Sequence, residues 1–160
     1  MNIETAYYNS PIGILEIKGD NKSIYSIYFI EENPATEIET TSEEIKKCIQ
    51  QLDEYFSGNR KEFELQLAPK GTEFQGKVWK ALLHVSFGKT RSYLEQSKYL
   101  GDVKAIRAVA SANGKNPISI IIPCHRIVGS DGSLTGYAGG VWRKKWLLEH
   151  ESGAKQQSLF

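Results

Sequence analysis

Apolar and polar residues alternate along the first thirty positions, the period of half-buried strands. Residues 3–9, 13–18 and 24–30 are rich in Ile and Tyr and predict three strands, with turns at Ser10-Pro11 and Gly19-Asp20-Asn21. Glu31-Glu32-Asn33-Pro34 is expected to close this meander. The period then changes. Ile45, Cys48, Ile49, Leu52, Tyr55 and Phe56 recur at helical spacing, behind a Thr41/Glu44 capping-box pair and ahead of Gly58 as a stop. Cys48 lies on the apolar stripe and is expected in the core, where a thiol acts as a small hydrophobe. Residues 62–67 alternate again and predict a returning strand. Pro69-Lys70-Gly71 breaks the chain, which places a domain boundary there and suggests domains 1–69 and 70–160.

Beyond the break the helical period dominates. Thr72 and Gln75 form a second capping box before Phe74, Val78, Trp79, Leu82 and Leu83, all expected on one face. His84 ends that helix as a surface residue. Phe87-Gly88-Lys89-Thr90 is a turn, and Thr90 or Ser92 can cap a helix running through Tyr99. Gly101-Asp102 separates it from a second helix at 103–113, and such a pair is a helix-turn-helix. Val103, Ile106, Val109 and Ala110 should pack inward, leaving Lys104, Arg107, Ala108 and Ser111 on the other side. Ile120-Ile121-Ile122 reads as a buried strand that ends at Pro123, which has no N–H for a ladder. Cys124 then stands where the strand gives way to a loop. Neighbouring side chains of an extended chain point to opposite faces, so His125 would need a water or a bend to reach the thiol. Glycines 129, 132, 136, 139 and 140 mark a loop. Residues 142–151 predict a last helix, apolar at Trp146, Leu147 and Leu148 and basic at Arg143, Lys144 and Lys145, with the tail from Ser152 expected to fray.

Length and composition (160 residues, 40% hydrophobic, 24% charged) are those of an ordinary globular protein. No apolar run is long enough for a bilayer, and no export leader precedes the first strand. A reducing cytoplasm is therefore expected, with Cys48 and Cys124 as free thiols. Two cysteines and three histidines, without a CxxC, suggest no metal site. The net charge of +1 conceals a division: residues 1–70 carry seven Lys/Arg against thirteen Asp/Glu, and residues 71–160 thirteen against six. A basic half of this kind points to a polyanion partner. Neither GxxxxGK[ST] nor GxGxxG occurs, which argues against nucleotide binding.

Ser92-Tyr93, Arg107, Asn116-Pro117, Pro123-Cys124-His125-Arg126, Gly136-Tyr137-Ala138-Gly139-Gly140 and Trp146-Leu147-Leu148-Glu149-His150-Glu151 follow one another in this order. The series resembles the O6-alkylguanine-DNA alkyltransferases, closely from Phe74 to Glu151 and loosely before. The resemblance implies an α/β (α+β) fold. A small ribonuclease-H-like N-terminal scaffold domain would precede a mostly helical domain with a winged-helix-like helix-turn-helix. It implies binding of double-stranded DNA through the minor groove, Arg107 filling the gap left by a flipped base, with Lys104, Ala108 and Ser111 beside it and Arg126 also at the DNA. One Arg among alanines offers little base-edge readout, which suits a lesion scanner. The alkyl group would pass to Cys124, with His125 as base through a water and Glu151 orienting the ring. Tyr93 matches the donor to N3 of the guanine, and the Ala138 N–H the donor to its oxygen. The carbonyls of Cys124 and Ile127 match acceptors for the exocyclic amine. Tyr137 and Gly139 line the pocket, and Asn116 fastens the hinge.

No S-adenosylmethionine loop stands out, so no cofactor is expected and the alkyl group comes from the substrate. A thioether has no route back to a thiol, which implies one turnover per chain. O4-alkylthymine is an expected second lesion, and the protein is expected to act as a monomer without membrane contact. Ser119 and Ala138 depart from common family residues and bear on which bulky alkyl groups fit. Rival readings are a binder of alkylated DNA that does not repair it, a helix-turn-helix regulator and a cysteine hydrolase. The binder would lack the acceptor cysteine, the regulator lacks an evident dimerisation segment, and the hydrolase would need a histidine that touches the thiol.

Overall fold

The computed structural model describes residues 2–32, 34 and 40–153, so Asn33 of the expected turn and the tail from residue 154 lie outside the described residues. They group into two compact units: those up to Lys70 together with Pro117–Ile121, and those of Gly71–Asn116 together with Ile122 onward. The fold is mixed α/β, a small sheet unit and a helical unit.

In the first unit β1 (Glu4–Ser10), β2 (Gly13–Gly19) and β3 (Ile24–Ile30) form an antiparallel meander in that order. Alternation sends Leu15 and Ile17 inward, and Ala6, Ile24 and Ile27 are buried with them, each at most 2% exposed. The register shifts at Lys18/Gly19, where a Cβ on Gly19 would stand 2.4 Å from the Ser23 carbonyl oxygen, so the bulge requires glycine. Helix α1 (Glu43–Phe56) packs against β1 and β2 with Ile45, Cys48, Leu52 and Tyr55 fully buried. Its cap is Ser42 rather than Thr41: Ser42 Oγ accepts from the Ile45 N–H at 3.0 Å and donates to the Asp20 carbonyl at 2.6 Å. Thr41 and Glu44 are engaged elsewhere, Thr41 donating to Glu4 and Glu44 accepting from the Gln66 N–H. No strand forms over 62–67. Leu67 makes one parallel bridge to Ile24, and Ile118 makes another to Ile27. Two short segments therefore share the edge of β3 that a whole strand was expected to cover.

In the second unit α2 (Glu73–Leu82) carries the expected Thr72/Gln75 capping box. Val78, Trp79 and Leu82 are buried, and the Trp79 indole N–H donates to the Ala112 carbonyl at 2.9 Å. Phe74 and Leu83 are 40% and 49% exposed, so the stripe is narrower than the spacing suggested. Strand β4 (Arg91–Ser92) leads into α3 (Tyr93–Tyr99), capped by a Ser92/Glu95 box rather than by Thr90. Gly101, at φ +86°, turns the chain into a 3-10 turn at Val103–Ala105 and then α4 (Ile106–Gly114), which packs on α2 and α3. The core face of α4 is Val109, Ala112 and Asn113; Val103 is 49% exposed and not part of it. Lys104, Arg107, Ala108 and Ser111 are all exposed, as expected. Strand β5 (Ile127–Val128) pairs in parallel with β4, and α5 (Val141–Ser152) ends at Gly153 with φ +74°. Ser152 belongs to that helix and not to a frayed tail.

The largest correction concerns the isoleucines before Cys124. Ile120, Ile121 and Ile122 are buried, but they form a turn and not a strand. Ile120 has φ +73°, Ile121 N–H donates to the Ser119 carbonyl at 2.8 Å, and Cys124 N–H donates to the Ile122 carbonyl at 2.8 Å. Positive φ is strained for a β-branched residue and persists because complete burial leaves the side chain no other place. Cys124–Arg126 follows as a single 3-10 turn, which is the bend that Pro123 begins. Among the described residues no helix is long and apolar enough to cross a membrane, and no group of three His, Cys, Asp or Glu could hold a metal ion.

Candidate active site

The 3-10 turn carries Cys124, His125 and Arg126, and all three are buried. His125 Nε2 lies 2.8 Å from Glu151 Oε2. Arg126 spans the same carboxylate, Nε to Oε1 at 2.8 Å and a terminal nitrogen to Oε2 at 2.9 Å, and donates to the Val85 carbonyl at 2.6 Å. This corrects the expected place of Arg126 at the DNA: its guanidinium is spent on Glu151 and the backbone. Burial alone would raise the Glu151 carboxyl, yet its two basic neighbours hold it below the usual carboxylate range. Burial also holds the His125 ring below its ordinary value, despite Glu151. Arg126 is charged at every ordinary pH, so we assign the ionised state of Glu151 to Arg126. An ionised carboxylate only accepts, so His125 Nε2 carries the proton and Nδ1 is left unprotonated. Nδ1 is buried, with no hydrogen-bond partner among the described residues. That is the state of a base waiting for a proton.

Asparagines hold the turn from the other side. Asn116 Nδ2 donates to the Ile122 carbonyl at 2.8 Å, and the Asn116 side chain also hydrogen bonds the thiol. Asn113 Nδ2 reaches the Cys124 carbonyl at 3.3 Å, and the Ile127 N–H uses the same oxygen. The Cys124 carbonyl, which the resemblance makes an acceptor for the exocyclic amine, therefore already accepts twice. Burial pushes the Cys124 thiol up, opposed by Asn116 and by the charge of Lys144.

Lys144 belongs to the basic run of the last helix, yet it is fully buried. Its ammonium donates to the Thr135 carbonyl at 2.8 Å and lies 5.7 Å from the Tyr93 ring centre. Arg143 is buried as well, donating to the Gly139 carbonyl at 3.0 Å with its guanidinium over Trp142. A usable signal did exist: Lys144, Leu147 and Glu151 are spaced three and four apart, one stripe of α5, and Leu147 is apolar. Arg126 and Glu151 cancel, and His125 is neutral, so Lys144 supplies the net positive charge felt by the thiol. Tyr93 from α3 is the remaining titratable neighbour, and Glu73, Lys77 and Lys80 of α2 are exposed. Lys144→Met should accordingly move the pH at which Cys124 reacts with iodoacetamide upward by about one unit, about tenfold slower at fixed pH below it. Lys144→Arg should retain most of the reactivity. Peptide mass separates Cys124 from Cys48, whose buried thiol is pushed up to about 12.

The glycine-bearing loop lies over this cluster. The Tyr93 hydroxyl donates to the same Thr135 carbonyl at 3.2 Å, the His125 ring meets Tyr137 edge-on, and Tyr137 is buried. Ala138 is exposed, Gly139 is half-buried and Ile127 is fully buried. An open cleft of about 430 Å³ is lined by Tyr93, Ile106, Arg107, Ala110, Thr135 and Gly136. Tyr93 is common to the cleft and to the surroundings of the thiol, which itself is only 6% exposed. The geometry brings together a buried thiol, an imidazole with a fixed tautomer, a carboxylate that holds it and a nearby cation, and Tyr93 of the same surroundings also lines a cleft edged by Arg107.

Two family models cover nearly all of the chain. Residues 3–69 match the 6-O-methylguanine DNA methyltransferase ribonuclease-like domain, and residues 73–153 match the DNA binding domain of the same enzymes. A methylated-DNA–protein-cysteine methyltransferase of Methanosarcina barkeri is 46% identical over 152 residues, covering 91% of this chain and 96% of its own. A Mycobacterium tuberculosis protein of that name is 44% identical, with 94% and 93% covered. The crystal structure of the Mycobacterium tuberculosis O6-methylguanine methyltransferase superposes with a TM-score of 0.85 at 39% identity, covering 95% of this chain and 94% of that one. A structure of the Mycobacterium tuberculosis protein in complex with DNA gives 0.84 at 42% identity, with 93% and 92% covered. Sequence, fold and the arrangement around Cys124 agree, and the chain belongs to the methylated-DNA–protein-cysteine methyltransferase family.

Proposed function

We propose that this protein repairs DNA by moving the alkyl group of O6-alkylguanine onto the sulfur of Cys124, once per chain. The observation that carries this reading is the buried turn in which Cys124 feels the charge of Lys144 and is followed by a His125 ring whose tautomer Glu151 and Arg126 enforce. The lesion lies inside a duplex, so the nucleotide must be flipped out to reach the sulfur. Duplex DNA is engaged through its minor groove by the exposed face of α4. Arg107 takes the place of the flipped base, and Lys104, Ala108 and Ser111 lie close to the backbone. The exposure of these four side chains and the basic balance of residues 71–160 support that assignment.

The thiol proton passes to His125, and the thiolate attacks the alkyl carbon. The carbon–oxygen bond breaks and its electron pair leaves with the guanine. Tyr93 donates to N3 and the Ala138 N–H to the oxygen, where negative charge develops. The carbonyl of Ile127 accepts from the exocyclic amine, and Tyr137 and Gly139 shape the alkyl pocket. Asn116 keeps the turn in place. The product is a thioether with no leaving group, so the chain is spent. O4-alkylthymine offers the same kind of bond and is a second substrate of this reading.

Residues 1–69 act as a scaffold and 70–160 as the DNA-binding acceptor domain, in a monomer of the cytoplasm, where both thiols stay reduced. No cofactor enters, because the lesion supplies the alkyl group. A binder without repair activity is disfavoured by the presence of Cys124 with a complete proton-accepting group behind it. The test is the intact mass of the protein after incubation with excess duplex carrying O6-methylguanine. One methyl per chain, located on Cys124 and no greater after longer times, is expected. An unchanged mass with a reduced thiol would exclude the repair reading.

A further inference from the structure

Asn113 is 2% exposed, and the mechanism above does not use it. Its Nδ2 makes a long hydrogen bond of 3.3 Å to the Cys124 carbonyl, and its Oδ1 is buried without a hydrogen-bond partner among the described residues. Exchanging the amide nitrogen and oxygen would set two acceptors against each other, so the orientation is the one the chemistry requires. The oxygen thus stays without a donor in either orientation. Buried polar groups are normally satisfied, and an orphan acceptor beside a nucleophile calls for a donor brought by a ligand.

The position of Asn113 on α4 says which ligand. Ile106, Ala110 and Asn113 follow one another at spacings of four and three, one face of the helix. Ile106 and Ala110 line the open cleft together with Tyr93 and Arg107, and one turn further along Asn113 meets the Cys124 carbonyl. A base that moved from the cleft toward Cys124 along this stripe would bring its edge to Asn113. The purine 2-amino group has two N–H donors: one goes to the Ile127 carbonyl, and the Cys124 carbonyl and Asn113 Oδ1 are neighbouring acceptors that can share the other.

We propose that Asn113 reads the 2-amino group of the extruded purine. Its Nδ2 holds the Cys124 carbonyl until the base arrives, and a rotation of the amide then offers Oδ1 to the amine and frees the carbonyl for it. Asn113 is in this way a specificity-determining residue for guanine over purines that lack the amine. The inference rests on the alkyl-transfer reading of Cys124.

The experiment compares methyl transfer to Cys124 from two duplexes, one with O6-methylguanine and one with O6-methylhypoxanthine, identical but for the amine. The wild type should prefer the guanine lesion by about tenfold or more, since a site built for a hydrogen-bonding group rejects the analogue without it. Asn113→Leu should lower this ratio at least about fivefold, with the loss concentrated on the guanine duplex. Asn113→Asp, which keeps an oxygen in place, should hold the ratio closer to wild type than Leu does. If the Leu variant does not fold, Asn113→Ala measured in the same way decides. Equal losses on both duplexes, or an unaltered ratio, would overturn the proposal and leave Asn113 a structural clasp. Absence of transfer from either duplex by the wild type would instead refute the alkyl-transfer reading, so the two failures are told apart.

Discussion

Cys124→Ala is expected to bind duplex carrying O6-methylguanine with wild-type affinity and to take no methyl group from it. The loss should be complete, because no second thiol stands in the cluster. Cys48 lies in the other unit with its thiol pushed up to about 12 by burial, and a neutral thiol is a poor nucleophile. Removing the sulfur leaves Asn116 without one hydrogen-bond partner but does not touch the His125–Glu151–Arg126 contacts or the exposed face of α4. Binding and chemistry should therefore separate cleanly. Gel-shift titration beside intact mass measures both, and methyl uptake by the variant at the wild-type level would remove Cys124 from the mechanism.

Glu151→Gln should injure stability and rate together. The carboxylate accepts from His125 and twice from Arg126, and its side chain is 1% exposed. Removing one partner of a buried ion pair leaves the other uncompensated, at about 3–5 kcal/mol. Urea unfolding should show that loss as a lower midpoint with an unchanged slope. Methyl transfer should slow by about hundredfold or more, because the amide no longer enforces the His125 tautomer that accepts the thiol proton. The pH dependence follows from two depressed groups. Glu151 contributes stability that is present above its unfolded value near pH 4.3 and lost as pH falls through its lower folded value. His125 is buried neutral, so stability also falls as pH drops below about 6.5, where the unfolded chain gains a proton first. Both act in the same direction, and the wild type should lose stability steadily from about pH 6 downward, the more so below about pH 4. In Glu151→Gln the further loss below about pH 4 should disappear, while the His125 limb below about pH 6.5 remains. A variant as stable as wild type at neutral pH would show that the carboxylate contributes nothing net.

Much of this was legible residue by residue. The meander, the Thr72/Gln75 box, the split at α3 and α4 and the exposure of Arg107 all follow from local periodicity and cap chemistry, which act within a few residues. The failures share a cause. Ile120–Ile122 is buried on every side, and an apolar run without alternation does not distinguish strand from turn, so the positive φ at Ile120 was hidden. Thr41 and Ser42 are both good caps, and only the Asp20 and Glu4 partners from distant strands select between them. Residue type by itself favours the surface for charged side chains. Arg126, Arg143 and Lys144 are buried because each finds an acceptor far along the chain: the Val85, Gly139 and Thr135 carbonyls and Glu151. Type alone could not foresee that.

The sequence by itself determined the acceptor residue, the family and the order of the elements, since Pro-Cys-His-Arg with its flanking motifs is local information. Tertiary structure alone decided the protonation chemistry: which nitrogen of His125 is free, why Glu151 is ionised, which cation faces the sulfur, and that Asn113 holds an unsatisfied oxygen beside it. Those properties depend on distances between groups separated by tens of residues and on their removal from water. Neither quantity is written in the neighbours of any one residue.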